Sequence, residues 1–152
     1  MTNDVIQLND KVTGATQYTA WVRELKGTGN VLYAGSYSLC RPPQHVGQCV
    51  KVVLPLPNGN AVVVLRPLHH SDGSFSLESA GRNFGEPGFY FVVRNANGST
   101  SAKYVRAMQE VFHVYMADDG DVRADHTLKL FGATFLRLHY RLRKRVLPAT
   151  TA

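Results

Sequence analysis

Residues 104–145 read YVRAMQEVFHVYMADDGDVRADHTLKLFGATFLRLHYRLRKR, and this run decides the fold. Its even-numbered positions are largely apolar from Tyr104 to Met116 and again from Val122 to Leu130, with Asp118-Asp119-Gly120 between the two segments. Alternation with period two marks half-buried strands, and a short loop ending in glycine fits a three-residue hairpin closure with Gly120 in the left-handed region. Loop length sets the register: Met116 falls opposite Val122, Val114 opposite Ala124, Phe112 opposite His126 and Glu110 opposite Leu128. A third segment alternates Leu136, Leu138, Tyr140 and Leu142 with Arg137, His139, Arg141 and Arg143. Pairing Leu130 with Leu136 and Leu128 with Leu138 brings His126 opposite Tyr140.

Turn signals recur at short intervals upstream: RPPQHVG, LPNGN, HHSDGS, FGEPG and NANGS, separated by runs rich in Val, Tyr, Phe and Leu. This is the pattern of an all-β sandwich or barrel assembled from consecutive hairpins. Eight strands are expected, at 31–40, 48–56, 60–68, 74–80, 87–94, 103–117, 121–131 and 134–145. A type I′ turn at Asn58-Gly59 sets Leu54 opposite Val63 and Val52 opposite Leu65. The same parity places Leu65 against Leu77, Pro67 against Phe75, and Leu77 against Phe91. One face then gathers Val50, Val52, Leu54, Val63, Leu65, Phe75, Leu77, Phe89, Phe91 and Val93. The other carries Lys51, Arg66, Glu78 and Arg94, with Lys51 opposite Arg66 as a like-charge pair that counts against the register.

Near the start, Tyr18, Trp21, Val22 and Leu25 follow the spacing of an amphipathic helix, which Gly27 would end. The simplest architecture is an eight-stranded antiparallel meander closed or nearly closed into a β-barrel, since closure removes both exposed edges. The helix at 18–26 would cap one mouth. Residues 1–15 are expected to be a flexible lead-in, 16–147 one domain and 148–152 a flexible tail. In shape this is similar to calycin or lipocalin-like barrels. Their Gly-x-Trp signature reads Thr19-Ala20-Trp21 here, without the glycine, so the similarity is one of shape and implies no function.

With 152 residues, 44% hydrophobic and 18% charged, the chain has the make-up of a globular domain with a sizeable core. No segment reaches the roughly 20 apolar residues of a membrane span, and MTNDVIQLND lacks the basic start and apolar run of an export signal. A soluble, cytoplasmic protein is therefore expected. Cys40 and Cys49 flank one loop and would meet if their strands pair, as a disulfide or, in that compartment, as thiols. Adding His45 gives C-x4-H-x3-C, which is no usual zinc spacing. The net charge of +6 is carried entirely by residues 126–152, which hold six Lys or Arg and no acid. Such asymmetry suits an anionic partner.

The chemistry centres on His126. An imidazole between a carboxylate, Glu110, and a phenol, Tyr140, can move a proton at neutral pH without a cofactor or metal. His126 would act as general base or acid, Glu110 would orient it, and Tyr140 would donate to a carbonyl. The plainer reading makes His126 a core residue whose nitrogens find local partners. A β-bulge near 107–110 would also turn Glu110 outward, because the odd positions Val105, Ala107 and Val111 are apolar too. His69, His70 and Asp72 lie in a turn, Glu86 in another, and 81–88 is the candidate flap.

An apolar or aromatic small molecule inside the barrel would touch Trp21, Phe75, Leu77, Phe89, Phe91, Phe112, Val114, Leu128 and Leu138. A carrier and a cofactor-free isomerase, cyclase or lyase fit the same residues. No dinucleotide, phosphate-loop, nucleophile-elbow or metal-helix motif is present. The alternative is an anion-binding outer stripe of Lys129, Arg137, Arg141 and Arg143. It would make the chain a non-enzymatic binding module for nucleic acid or another anionic partner, although specific single-strand binding wants interleaved aromatics and that face offers none apart from Phe131; the stripe could also mediate self-association as a homodimer.

Overall fold

The computed structural model describes residues 2–142, so Arg143, the end of the last expected strand and the tail at 148–152 lie outside the described residues. Eleven antiparallel strands run in the order β1 (Thr2–Asn9), β2 (Thr16–Glu24), β3 (Val31–Cys40), β4 (Cys49–Leu56), β5 (Gly59–His69), β6 (Phe75–Glu78), β7 (Gly88–Arg94), β8 (Thr100–Tyr104), β9 (Met108–Met116), β10 (Val122–Leu130) and β11 (Ala133–Leu142). The class is all-β, as the alternation requires. There is no helix among the described residues.

The stretch expected as a helix is strand β2. Of the residues that carry its helical spacing, Tyr18, Trp21 and Val22 favour strands, and Leu25 lies beyond the end of β2. Two ladders settle the conflict: β2 pairs with β1 on one side and β3 on the other, satisfying its backbone donors and acceptors. Residues 2–9, without periodicity in the sequence, form β1 on the same account.

The sheet is not closed. Its main path is β1-β2-β3-β4-β5-β6-β9-β10-β11, and among the described residues no ladder joins β1 to β11. A meander barrel would need each strand to pair only with its sequence neighbours, whereas β5 forks. Its first half, Gly59–Val64, pairs with β7, and its second half, Arg66–His69, pairs with β6. β7 then carries β8 as a side branch, while β6 passes the main path to β9. Leu77 therefore faces Phe112 and Pro67, and Phe91 faces Ala61 and Lys103; the expected Leu77–Phe91 pair is absent. At the far end of the β5–β7 ladder Gly59 permits the close approach of β7, because a Cβ there would meet the Val92 carbonyl oxygen at 2.2 Å.

Several hairpins differ from expectation by two residues. Leu56 pairs with Gly59, so the turn is Pro57-Asn58, with Asn58 at φ 64°. Proline followed by a left-handed residue is the chemistry of a type II turn. Val52 consequently faces Val63, Leu54 faces Ala61 and Val50 faces Leu65. A shift of two keeps every side chain on its face, so the inner and outer assignments survive. The expected Lys51–Arg66 repulsion disappears: Lys51 faces Val64, and Arg66 faces Glu78 with 3.3 Å between guanidinium and carboxylate.

The tightly packed core is small. Val52, Val63 and Leu65 are buried together, with Tyr37, Val50, Leu54, Leu77, Phe89 and Phe112 packed around them. Most other inward side chains are only half-buried, so the curled sheet is a lined trough rather than a filled interior.

Candidate functional site

The trough encloses about 740 Å³ and draws its lining from β2, β3, β4, β5, β7, β9, β10 and β11. Its walls are apolar apart from the polar groups of a few residues. Of the expected contacts, Trp21, Phe89, Phe91, Phe112, Leu128 and Leu138 line it. Phe75, Leu77 and Val114 do not. Leu77 packs against the core, while Phe75 and Val114 face each other on the β6–β9 ladder, beyond the lining.

Glu110 and His126 lie on the wall formed by β9 and β10. Their ladder is uninterrupted from Met108 to Met116, so there is no bulge and Glu110 points inward. Every pair assigned from the Asp118-Asp119-Gly120 turn is present, with Gly120 at φ 78°. Glu110 Oε1 and His126 Nε2 are 2.5 Å apart, and both side chains are nearly buried. Ser79, which is fully buried, holds the Glu110 backbone from the other side: the Glu110 amide donates to its Oγ at 2.7 Å, and its own amide donates to the Glu110 carbonyl at 3.0 Å.

The imidazole lies flat on Phe112, ring centres 3.8 Å apart, with Tyr140 on its other side at 6.3 Å. Tyr140 pairs with Ala124, while His126 pairs with Leu138, so Tyr140 is a diagonal neighbour rather than the facing residue. The reason is the hairpin end, where Phe131 and Gly132 form a two-residue loop and a bulge at Leu128/Lys129 absorbs one residue. With Nε2 on the carboxylate, the other ring nitrogen, Nδ1, is buried without a partner.

The trough also contains residues that the sequence reading missed. Arg23 and Trp21 share the inner face of β2, the guanidinium lying 4.4 Å from the Trp21 ring centre and 5.5 Å from that of Tyr140. Reading 18–26 as a strand would have shown Arg23 beside Trp21, two residues on. Tyr37 joins them with its ring 5.8 Å from Trp21.

The remaining candidates have local roles. Asp72 accepts from the Ser74 hydroxyl at 2.6 Å and amide at 2.9 Å, which hold its carboxyl below the ordinary value. His70 meets Ser76, and His113 meets Ser74. Among the described residues no group of three or more His, Cys, Asp or Glu could hold a metal ion. Cys40 and Cys49 are ladder partners and free thiols, both pushed up mainly by burial. Glu86 folds back on its own loop, accepting from the Arg82 amide at 2.7 Å. Tyr104 further ties that loop down by donating to the Gly81 carbonyl at 2.6 Å.

On the outer stripe, Arg123 lies 2.5 Å from Asp119, and Arg141 reaches both Asp119 and Asp121. His139 pairs with Asp125 at 2.6 Å. Lys129 and Arg137 have no ion pair among the described residues.

No family model matches the chain, and no solved structure matches it. The uncharacterized membrane protein YndJ of Bacillus subtilis (strain 168) is 26% identical over 137 residues, covering 89% of this chain and 23% of that protein. The chain thus spans about a quarter of that relative's length. No helix among the described residues is long and apolar enough to cross a membrane.

Proposed function

We propose that the trough binds an apolar or aromatic small molecule, with the Glu110–His126 pair as its polar contact. One observation carries this reading: a cavity of about 740 Å³ with aromatic and aliphatic walls and very few polar groups. That is the size and make-up of ordinary ligand pockets. Titration with a neutral naphthylamine fluorophore tests it. Saturable binding with blue-shifted emission is expected, and Ala61→Phe, which fills the trough, should abolish it while circular dichroism stays unchanged. Absence of saturable binding to wild type by a panel of apolar fluorophores would sink the proposal.

Cofactor-free acid–base catalysis on the same ligand is a second reading, favoured by the contact of the His126 imidazole with the Glu110 carboxylate in the trough wall. His126→Gln should then lose turnover while keeping affinity, whereas a carrier would show no turnover to lose. An anionic partner on the outer stripe has less support. Asp119 and Asp121 already engage Arg123 and Arg141, which leaves Lys129 and Arg137 among the described cations of that face.

A further inference from the structure

The β10–β11 turn is built against its own backbone preference. Leu130 pairs with Ala133, so Phe131 and Gly132 are the two loop residues, at φ 50° and 83°. Positive φ at both positions defines a type I′ turn, for which Asn-Gly is the favoured pair. A bulky aromatic in the left-handed region is strained, and strain that packing does not require points to use. Packing does not require it here, because Phe131 is 85% exposed. Its amide donates to the Ala107 carbonyl at 2.8 Å.

Two more apolar side chains surround it. Thr134 faces Lys129 and Leu136 faces Leu128, so the intervening bulge leaves Phe135 without a ladder partner, 55% exposed. Leu130 is 41% exposed. The charges nearby are all positive. Lys129 and Arg137 flank the turn, Arg106 adjoins the Ala107 that holds it, and residues 126–142 contain no acid. The opposite end of the same hairpin differs in sign, since Asp119 and Asp121 lie there and take up Arg123 and Arg141.

Exposed aromatic and aliphatic tips beside cations that have no ion pair among the described residues match the interface of an anionic bilayer; of these cations, Arg106 also donates its Nε to the Arg82 carbonyl at 3.2 Å. There the rings enter the acyl boundary while the basic groups meet lipid phosphates and carboxylates. We infer that the β10–β11 turn is a membrane-docking tip, which inserts Phe131 and Phe135 into a negatively charged lipid surface while Lys129, Arg137 and Arg106 bind the headgroups. A single strand of nucleic acid stacks its bases on aromatics interleaved along a basic groove, whereas here the two rings gather with the aliphatic Leu130 at one exposed turn. A second copy of the chain would bring the same cations against themselves.

Vesicle flotation of the full chain tests this, using phosphatidylcholine alone and phosphatidylcholine with about one-third phosphatidylserine. Wild type should float with the anionic vesicles and, to a far smaller extent, with the neutral ones. Phe131→Asn with Phe135→Ser should weaken that partitioning by roughly tenfold or more, the scale expected when two buried rings are withdrawn. Asparagine suits positive φ, so the Phe131→Asn chain should melt at the same temperature as wild type or higher, separating docking from folding. Lys129→Gln with Arg137→Gln should lower binding to anionic vesicles and leave the small neutral component unchanged. Three results would overturn the inference: no flotation of wild type, flotation that the Phe substitutions leave unaltered, or salt-sensitive binding to a single-stranded oligonucleotide without flotation. A concentration-dependent dimer that Phe131→Asn dissolves, again without flotation, would also overturn it by assigning the tip to self-association.

Discussion

Strands β9, β10 and β11 put two kinds of ion pair on opposite faces of one sheet. Inside, Glu110 and His126 meet at 2.5 Å in a nearly dry wall, stacked between Phe112 and Tyr140. Outside, Asp119, Asp121 and Asp125 hold Arg123, Arg141 and His139 where water reaches most of the groups. Both sets arise from the same period-two alternation. What separates them is solvent: an exposed pair exchanges one set of water contacts for another, whereas a buried pair cannot lose a member without stranding the other.

The largest expected effect comes from breaking the inner pair. Glu110→Ala should destabilise the fold by about 3 kcal/mol in urea unfolding, because His126 is left with two unpartnered ring nitrogens in an apolar wall. The double change Glu110→Leu with His126→Phe should recover most of that loss, since a buried pair replaced by packed apolar groups is close to neutral. If the single and double variants are equally unstable, the pair is not the cause. On the outer face, Arg141→Gln should cost roughly 0.5 to 1 kcal/mol, and less as salt is added. A larger, salt-independent loss would erase the distinction between the faces.

The smallest effect concerns Tyr115, on the outer face of β9. Desolvation, then the Asp125 charge and hydrogen bond, push its phenol above the ordinary 10.0. The unfolded phenol therefore ionises first as pH rises, so this contribution is complete below pH 10 and declines from there through the folded value. Tyr115→Phe should flatten the fall of thermal midpoint on the alkaline side and change little at neutral pH. An unchanged alkaline slope would remove Tyr115 from the account.

Where a turn is short and its chemistry unambiguous, local sequence sufficed. Asp118-Asp119-Gly120 led to the β9–β10 register and, through it, to Glu110 and His126 side by side. Turns with two workable chemistries led to a slip: Pro57-Asn58 competes with Asn58-Gly59, and Phe131-Gly132 does not look like a type I′ turn. Because each slip was even, faces survived and only partners changed, so Tyr140 moved from facing His126 to lying diagonal to it. Residues 18–26 were less legible, since Tyr18, Trp21, Val22 and Leu25 satisfy a helical spacing while the types of the first three favour a strand. Arg23 went unnoticed for that reason.

By itself the sequence determined the all-β class and the alternation of faces, because period-two patterning and turn length act over a few neighbouring residues; it left open, through a bulge at 107–110, whether Glu110 turns toward His126. Only the tertiary structure decided that β2 is a strand, that β5 divides its edge between β6 and β7, and that the sheet stays an open trough. Those outcomes depend on which distant strands satisfy which backbone hydrogen bonds, and on close approaches such as the Val92 carbonyl against Gly59. No local pattern encodes that competition, since its terms come from opposite ends of the chain.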